Sequence, residues 1–524
     1  MRRFNSYGPI NNKLHYYAPR EELIEKAYKS LVGDLPDKDG DYLTVWASSQ
    51  TGKTWLMAET AKRILKTGKY HTAMLNMESY QDKRDEKTFV SSLVEDLQIA
   101  FDKELPPINN FHEISSLFTA SYFQKPVILF LDKFDSLPEE IIDIIASVFR
   151  DIYISRADDR NRNKPAEKRH YLLHGLALIG SQNAIAIETK VPFNVQRSFH
   201  VPNLTYDDVA GMFQWYERES GQKVEESAIR ALFNETLGHP GLTGWFGELL
   251  TETYNPDKNQ PIGMNHFNKV YEAAIHIPNN TILNLIGKVN KPPYEGMVMK
   301  LFKTGEKTVF NIYNKDINYL YMNGVITTEA GPLQYYVKFS CPFVQKSLFD
   351  YFSNQIFKHM GQLIQPLDTM NDAIDDEKLH VPNIIQRYRT YLKENGQFFK
   401  DVPRRKTDSR IYEAVYYFNL YRYLYDLLKP RGVDVIARFP TGNEKIDLIL
   451  KYRGKVQALE LRSFHDMYTF QKEIDQAAVY CRQLGLTEIV YLVFVEVSED
   501  DAKQLEQEVD KGGIKVIVVP VGIL

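Results

Sequence analysis

Residues 41–54 read DYLTVWASSQTGKT. The first seven are mostly apolar, aromatic and β-branched, the composition of a short buried strand. A turn of small polar residues follows, and from Thr54 to Lys66 the sequence favours a helix. Strand, turn and helix in that order present backbone N–H groups at a helix N-terminus, and such a row wraps a phosphate. The amides of Gln50, Thr51 and Gly52 are expected to enclose the β-phosphate of ATP. Lys53 is expected to reach the β- and γ-phosphates, and Thr54 to hold Mg2+. Ala47 stands where this pattern usually begins with glycine.

The pattern continues outward. Further strands are predicted at Thr72 to Met77, at Pro126 to Leu131 and at Leu176 to Gly180, with a helix over Glu139 to Tyr153. Strands alternating with helices imply an α/β domain on a mostly parallel sheet. The apolar strand 127–131 ends in Asp132, a carboxylate placed to fix the metal through water. Residues 1–203 are therefore read as the nucleotide-binding core. Helical runs 207–220, 225–236, 242–253 and 264–276 make 204–280 a helical lid. Residues 281–352, helices followed by a β-hairpin, are read as winged-helix-like, and polar 353–408 as a linker carrying a helix at 383–393 and the cluster Arg404, Arg405 and Lys406. Residues 409–524 are read as a separate α/β domain opening with an aromatic helix.

Composition sets outer bounds. The 524 residues are 44% hydrophobic and 25% charged with net charge −4, which fits a globular protein of several domains and argues against coating nucleic acid over the whole surface. Only Cys341 and Cys481 occur, so neither a disulfide framework nor a cysteine-rich zinc site is expected. The sequence after Met1 shows no apolar leader, and no long apolar run follows, so a cytoplasmic location without membrane contact is expected.

In the N-terminal 350 residues these features resemble the AAA-like P-loop ATPases of the STAND and archaeal-ATPase type. Tyr16-Tyr17-Ala18-Pro19-Arg20 resembles the family's entry segment near the adenine. Ser181 and Gln182 resemble its polar sensor, Pro192-Phe193-Asn194 and Arg197 a loop of conformational importance, and Gly238-His239-Pro240-Gly241-Leu242 the lid motif whose His239 and Pro240 approach the nucleotide. The family usually has Asp-Glu where this chain has Asp132-Lys133, and a charged lysine is no general base. Asp135 is the remaining carboxylate there, so ATP binding is expected and turnover is left open. A basic stretch holding Arg156, Arg160, Arg162, Lys164, Lys168 and Arg169 is read either as a solvated surface or as a loop facing DNA or a neighbour's γ-phosphate.

At the C-terminus, Asp447 begins one predicted strand, 446–452, and Glu460 ends the next, 456–461. A hairpin between them brings both carboxylates to one end of a sheet, where they could gather Mg2+ or Mn2+ for phosphodiester cleavage. Glu413 lies in the preceding helix, and Gln476 and Tyr480 share a face of the following one. Residues 408–524 resemble the PD-(D/E)XK nuclease superfamily, carried by 445–450, by Ala458-Leu459-Glu460-Leu461-Arg462, by Gln476 to Tyr480 and by 491–494. Arg462 replaces the family's lysine; it keeps the charge but does not readily release a proton. Lys451, at even spacing from Asp447, is an alternative. The aromatic set Tyr412, Tyr416, Tyr417, Phe418, Tyr421, Tyr423 and Tyr425 is read as core in preference to a base-stacking surface.

The combined resemblance implies an ATP-regulated, Mg2+-dependent nuclease acting on DNA in genome defence or mobile-element control, with RNA and homo-oligomer formation left open. The rival expectation is an ATP-dependent switch or assembly protein whose nuclease-like domain does not cut.

Overall fold

The computed structural model describes residues 1–523 apart from 6, 34–38, 181–195, 303–306, 359, 361–362, 364–369, 406–408 and 438–446, and only the backbone of 196, 396 and 397. In chain order the first elements are α1 (Glu21–Val32), β1 (Tyr42–Trp46), α2 (Lys53–Lys66), β2 (His71–Asn76), α3 (Glu86–Phe101), β3 (Val127–Asp132), α4 (Glu139–Asn161), β4 (Leu173–Gly180) and β5 (Gln196–His200). Then come α5 (Tyr206–Ser220), α6 (Glu226–Thr236), α7 (Pro240–Glu248), which runs on as a π-turn to Thr253, α8 (Met264–Ala274) and α9 (Asn280–Val289). Next are α10 (Tyr294–Leu301), α11 (Lys315–Met322), β6 (Ile326–Ala330), β7 (Tyr335–Phe339), α12 (Pro342–Ile356) and α13 (Val381–Glu394). The last are α14 (Glu413–Leu428), β8 (Asp434–Ala437), β9 (Leu448–Tyr452), β10 (Lys455–Ser463), α15 (Met467–Gln483), β11 (Glu488–Val495), α16 (Glu499–Ala502), β12 (Gln507–Asp510) and β13 (Lys515–Gly522).

Two compact units result: Met1–Leu285 with Asn311–Thr327, and Ile286–Phe310 with Thr328–Leu524. The stretch read from sequence as one winged-helix domain is shared between them, with α11 in the first and α10, β7 and α12 in the second.

The first unit is built on a parallel sheet of order β2-β3-β4-β1-β5. The residues of β3 and β4 are buried throughout, as strands covered on both faces must be. Because β1 is bracketed by β4 and β5, the chain leaves β1, crosses to β2 and returns. The loop after β1 thus lies at the carboxyl ends of the strands, where an open α/β sheet binds its ligands. This is the arrangement of a P-loop nucleotide-binding fold. Helix starts are fixed locally: Thr205 and Asp208 form a capping box for α5, and the imidazole of His239 caps α7 ahead of Pro240 at its first position.

The second unit holds a mixed sheet of order β12-β13-β11-β10-β9-β8. Its centre, β10, β11 and β13, is parallel, and β9 pairs antiparallel with β10 as the predicted hairpin. Helix α14 is buried almost along its whole length, including Tyr416, Tyr417, Phe418, Tyr421 and Tyr423. The Tyr416 ring stacks on Phe494 at 4.7 Å, so these aromatics are core. The segment read as a polar linker contributes α13, whose apolar face, Ile384, Ile385 and Tyr388, is buried in this unit. There the Tyr388 hydroxyl donates to Asn419 Oδ1 at 2.7 Å.

Candidate functional site

The phosphate loop leaves β1 at Trp46 and enters α2 at Lys53, with Gln50 and Gly52 both at positive φ. A Cβ placed on Gly52 would meet no atom within 4 Å, so the loop encloses open space above this residue. Lys53 Nζ donates to the carbonyls of Ala47 and Ser48 at 2.9 and 2.7 Å. Burial pulls the Lys53 ammonium down to about 8, against the opposing charges of Asp135 and then Asp132. Thr54 Oγ1 donates to Asp132 Oδ2 at 2.8 Å, joining the two groups expected at the magnesium ion. Burial raises the Asp132 carboxyl, and the Thr54 bond opposes that rise. Open loop, ammonium, hydroxyl and carboxylate fit a nucleotide triphosphate with Mg2+.

Distant segments close around this loop. Arg20 NH1 donates to the Thr51 carbonyl at 3.2 Å, and its NH2 to Pro202 O. His239 Nε2 lies 3.2 Å from the Ser49 carbonyl, while its Nδ1 accepts from the Leu242 amide at 3.3 Å. That pairing requires the proton on Nε2. Burial depresses His239 to about 4, so the ring is neutral at physiological pH. Next along, the Gly241 amide donates to Gln50 O at 3.1 Å, and Thr281 Oγ1 donates to Gln50 Oε1. Thr51 is buried, its hydroxyl on Ser48 O at 2.9 Å. Gly324, at φ +76°, lies so close to Ser48 that a Cβ there would stand 2.3 Å from the serine Cβ. Thr281 and Gly324 carried no signal in the sequence.

Lys133 pairs with Glu78, beyond the end of neighbouring β2, at 3.7 Å, and both are exposed. Asp135 instead packs against Gly180 at the end of β4. Gln182, with Ser181 and residues 192–194 of the loop resemblance, lies outside the described residues.

For two residues of the basic stretch, Arg156 and Arg169, the expectations are corrected. Arg156 and Arg169 are buried, 2% and 4% exposed, and both bind Asp39; His174 stands 3.5 Å from the same carboxylate. This cluster sits at the amino ends of the strands, opposite the phosphate loop, so neither arginine reaches a neighbour's phosphate. Arg162, Lys164 and Lys168 are exposed. Arg197 pairs with Asp41 at 3.1 Å, beside the start of β1, also away from the loop.

In the second unit, Asp447 immediately precedes β9, and the register Leu448↔Leu459 sets it across from Glu460. Glu460 and Arg462, two apart on β10, share a face. Both carboxylates are 1% exposed and Arg462 3%. Arg462 NH1 donates to Asp447 Oδ2 at 3.2 Å and to the Leu461 carbonyl at 2.6 Å, and NH2 donates to Glu460 Oε1. The Leu461 amide also donates to Asp447 Oδ2, at 2.7 Å. Burial drives both carboxyls upward, with Arg462 opposing. Asp447 Oδ1 and Glu460 Oε2 are buried without a hydrogen-bond partner.

Glu413 Oε2 accepts from the Ser463 amide at 3.2 Å and bears on Asp447 through its charge. Tyr480 is buried, its hydroxyl raised by desolvation and then by Glu460; Gln476 is half-buried on the same helix. Lys451 is exposed at the turn end of the hairpin, four residues from Asp447, and so is poorly placed to replace the missing lysine.

The residue that sequence reasoning missed is Glu473. Its Oε1 lies 3.7 Å from Arg462 Nε and its Oε2 accepts from the Tyr491 hydroxyl at 2.9 Å. Spacing of three from Gln476 and seven from Tyr480 put it on their helix face, the one available signal. Among the described residues no group of three or more His, Cys, Asp and Glu is arranged to hold a metal. Magnesium, however, usually takes one or two carboxylates and fills the rest with water and phosphate. Asp447 Oδ1 and Glu460 Oε2, each buried without a hydrogen-bond partner, are donors of the type such an ion takes.

No protein family matches the chain, and no curated protein does. Solved structures with similar folds include the Walker-type ATPase of Pyrococcus abyssi, at 14% identity and TM-score 0.45, covering 66% of this chain and 99% of that one. The ORC1 protein of Aeropyrum pernix, solved with DNA, shows 11% identity and TM-score 0.33 over 66% of this chain and 94% of that one. The RuvB Holliday-junction branch-migration motor of Thermotoga maritima shows 12% identity and TM-score 0.34 over 61% and 92%. No helix among the described residues is long and apolar enough to cross a membrane.

Proposed function

We propose that this chain is an ATP-binding, ATP-controlled nuclease that cuts DNA at the Asp447–Glu460 pair with the help of Mg2+. The observation that carries the nuclease reading is that each buried carboxylate gives one oxygen to Arg462 and keeps the other without a donor. Asp447 and Glu460 would hold the ion, which polarises the scissile phosphate and activates water when bound. Arg462 holds the two carboxylates side by side by offsetting part of their mutual repulsion, and Glu413 is anchored by the Ser463 amide beside it. In the first unit, Lys53 and the loop amides would bind the phosphates, Thr54 and Asp132 the nucleotide's metal, and Arg20 and His239 would hold the loop in shape.

A second reading rests on a specific observation as well. Arg462 already occupies the inner oxygens of both carboxylates and the intervening Leu461 carbonyl, so its guanidinium could be the only cation the cluster needs. The protein would then be a nucleotide-driven switch that binds without cutting. Cleavage of plasmid and single-stranded DNA with Mg2+ or Mn2+, with and without ATP, separates the two. Cutting that vanishes in Asp447→Ala and responds to Lys53→Ala supports the nuclease. Metal-independent DNA binding with no cutting in any variant supports the switch.

A further inference from the structure

Hydrolysis of ATP at the Lys53 loop needs a group to take a proton from water, and the usual glutamate position holds Lys133. Three other carboxylates stand at or near the carboxyl ends of β2, β3 and β4. Asp132 accepts the Thr54 hydroxyl and on the proposed reading serves the nucleotide's metal. Glu78 is more than half exposed and pairs with Lys133. Asp135 is half-buried and lies against Gly180, at the end of the strand that runs between β1 and β3. It therefore flanks the phosphate loop from the β4 side. Its charge also acts on Lys53 more strongly than that of any other residue, Asp132 included.

We propose that Asp135 is the general base of ATP hydrolysis in this chain. The proposal rests on the Lys53 loop binding ATP. A carboxylate oxygen of Asp135 takes a proton from water as the water oxygen bonds to the γ-phosphorus. The bond from that phosphorus to the bridging oxygen breaks, and its electron pair leaves with ADP. The proton is then returned to the released phosphate, so the carboxylate is regenerated and no other reactant is consumed.

Gly180 offers a second handle. A Cβ there would stand 2.8 Å from Asp135 Cγ, so Gly180→Ala must push the carboxylate aside while leaving its charge in place. The test uses the full chain with MgATP. Nucleotide affinity is measured by calorimetry, turnover by phosphate release, and the identity of the retained nucleotide by chromatography. Asp135→Asn is expected to lower turnover by about 100-fold or more, in the range for loss of a general base, with ATP affinity within about threefold. It should retain ATP where the parent retains ADP. Gly180→Ala should show the same defect in milder form. Turnover in Asp135→Asn within about threefold of the parent overturns the proposal, since a general base contributes far more. So does a parent that binds ATP tightly and never cleaves it. A parent that fails to bind ATP overturns the nucleotide-site reading beneath it, which the calorimetry alone reveals.

Discussion

Replacing Arg462 with methionine isolates what the guanidinium does among the buried carboxylates. The side chain is 3% exposed and touches Asp447, Glu460 and the Leu461 carbonyl, with Glu473 at 3.7 Å. Removing one partner of a buried ion pair costs roughly 3–5 kcal/mol, because the other charge is left uncompensated. For a unit of this size about 1 kcal/mol shifts the midpoint by roughly 2–4 °C, so a loss of about 6–20 °C is expected at pH 7. The sign of the pH dependence follows from the carboxyls. Their folded values already lie above the unfolded ones and rise further without Arg462. The contribution of these two carboxyls to stability is therefore fully present at low pH and is lost as pH climbs through their folded values, over a wider range in the variant than in the parent. All four tryptophans, Trp46, Trp55, Trp215 and Trp245, lie in the first unit. Tryptophan fluorescence thus serves as an internal control while hydrogen exchange of β10 and β11 reads the second unit. Adding Mg2+ or Mn2+ should restore part of the loss, about 2.7 kcal/mol at 100 times Kd, if the carboxylates accept a divalent ion in place of the guanidinium. A variant within about 0.5 kcal/mol of the parent at pH 7 would refute the view that the arginine is the counter-charge of this cluster.

Lys53→Ala should abolish measurable ATP binding by calorimetry while leaving the unfolding midpoint of the apoprotein close to the parent's; retained binding would place the nucleotide elsewhere. Gly324→Ala costs about 1–2 kcal/mol for a left-handed non-glycine residue and pushes Ser48, so ATP affinity should fall at least about tenfold, and unchanged affinity would count against that contact. His239 and His174 are each held near 4 by burial, well below their unfolded value, so the first unit should lose stability as pH falls from 6.5 towards 4. His174→Gln should flatten that slope in tryptophan-monitored denaturation. Asp39→Asn should cost roughly 3–5 kcal/mol by leaving Arg156 and Arg169 buried without their carboxylate; a shift under about 1 kcal/mol would show the network to be dispensable.

What was legible in the sequence was local. The loop at 47–54 announces itself because its chemistry needs consecutive residues between a strand and a helix. Asp132 is visible because a buried parallel strand reads as an unbroken apolar run. The hairpin placing Asp447 opposite Glu460 followed from two short strands joined by a tight turn. What was hidden depended on partners far along the chain. Arg156 and Arg169 looked like surface charge because Asp39, their counter-ion, is remote in sequence and lies among polar residues. Gly324 and Thr281 belong to segments with no phosphate-binding pattern of their own, yet they touch Ser48 and Gln50. Glu473 is one acid among several on α15, and only the position of Arg462 singles it out. The aromatic run of α14 could be assigned to the core because its spacing allowed little else, although which sheet it covered was not readable.

The cluster of Asp39, Arg156, Arg169 and His174 has a mechanical meaning for the first unit. It ties the segment before β1, the body of α4 and the start of β4 into one knot at a single end of the sheet. Buried charges that share one carboxylate resist displacement, since any slippage leaves one of them bare. The sheet is thus pinned at that end, like a blade held in a vice. On the proposed ATP-binding reading, a shift that follows a change at the γ-phosphate would then be expressed at the opposite ends of the strands, around Lys53, Asp135 and His239, and not in the pinned scaffold behind them.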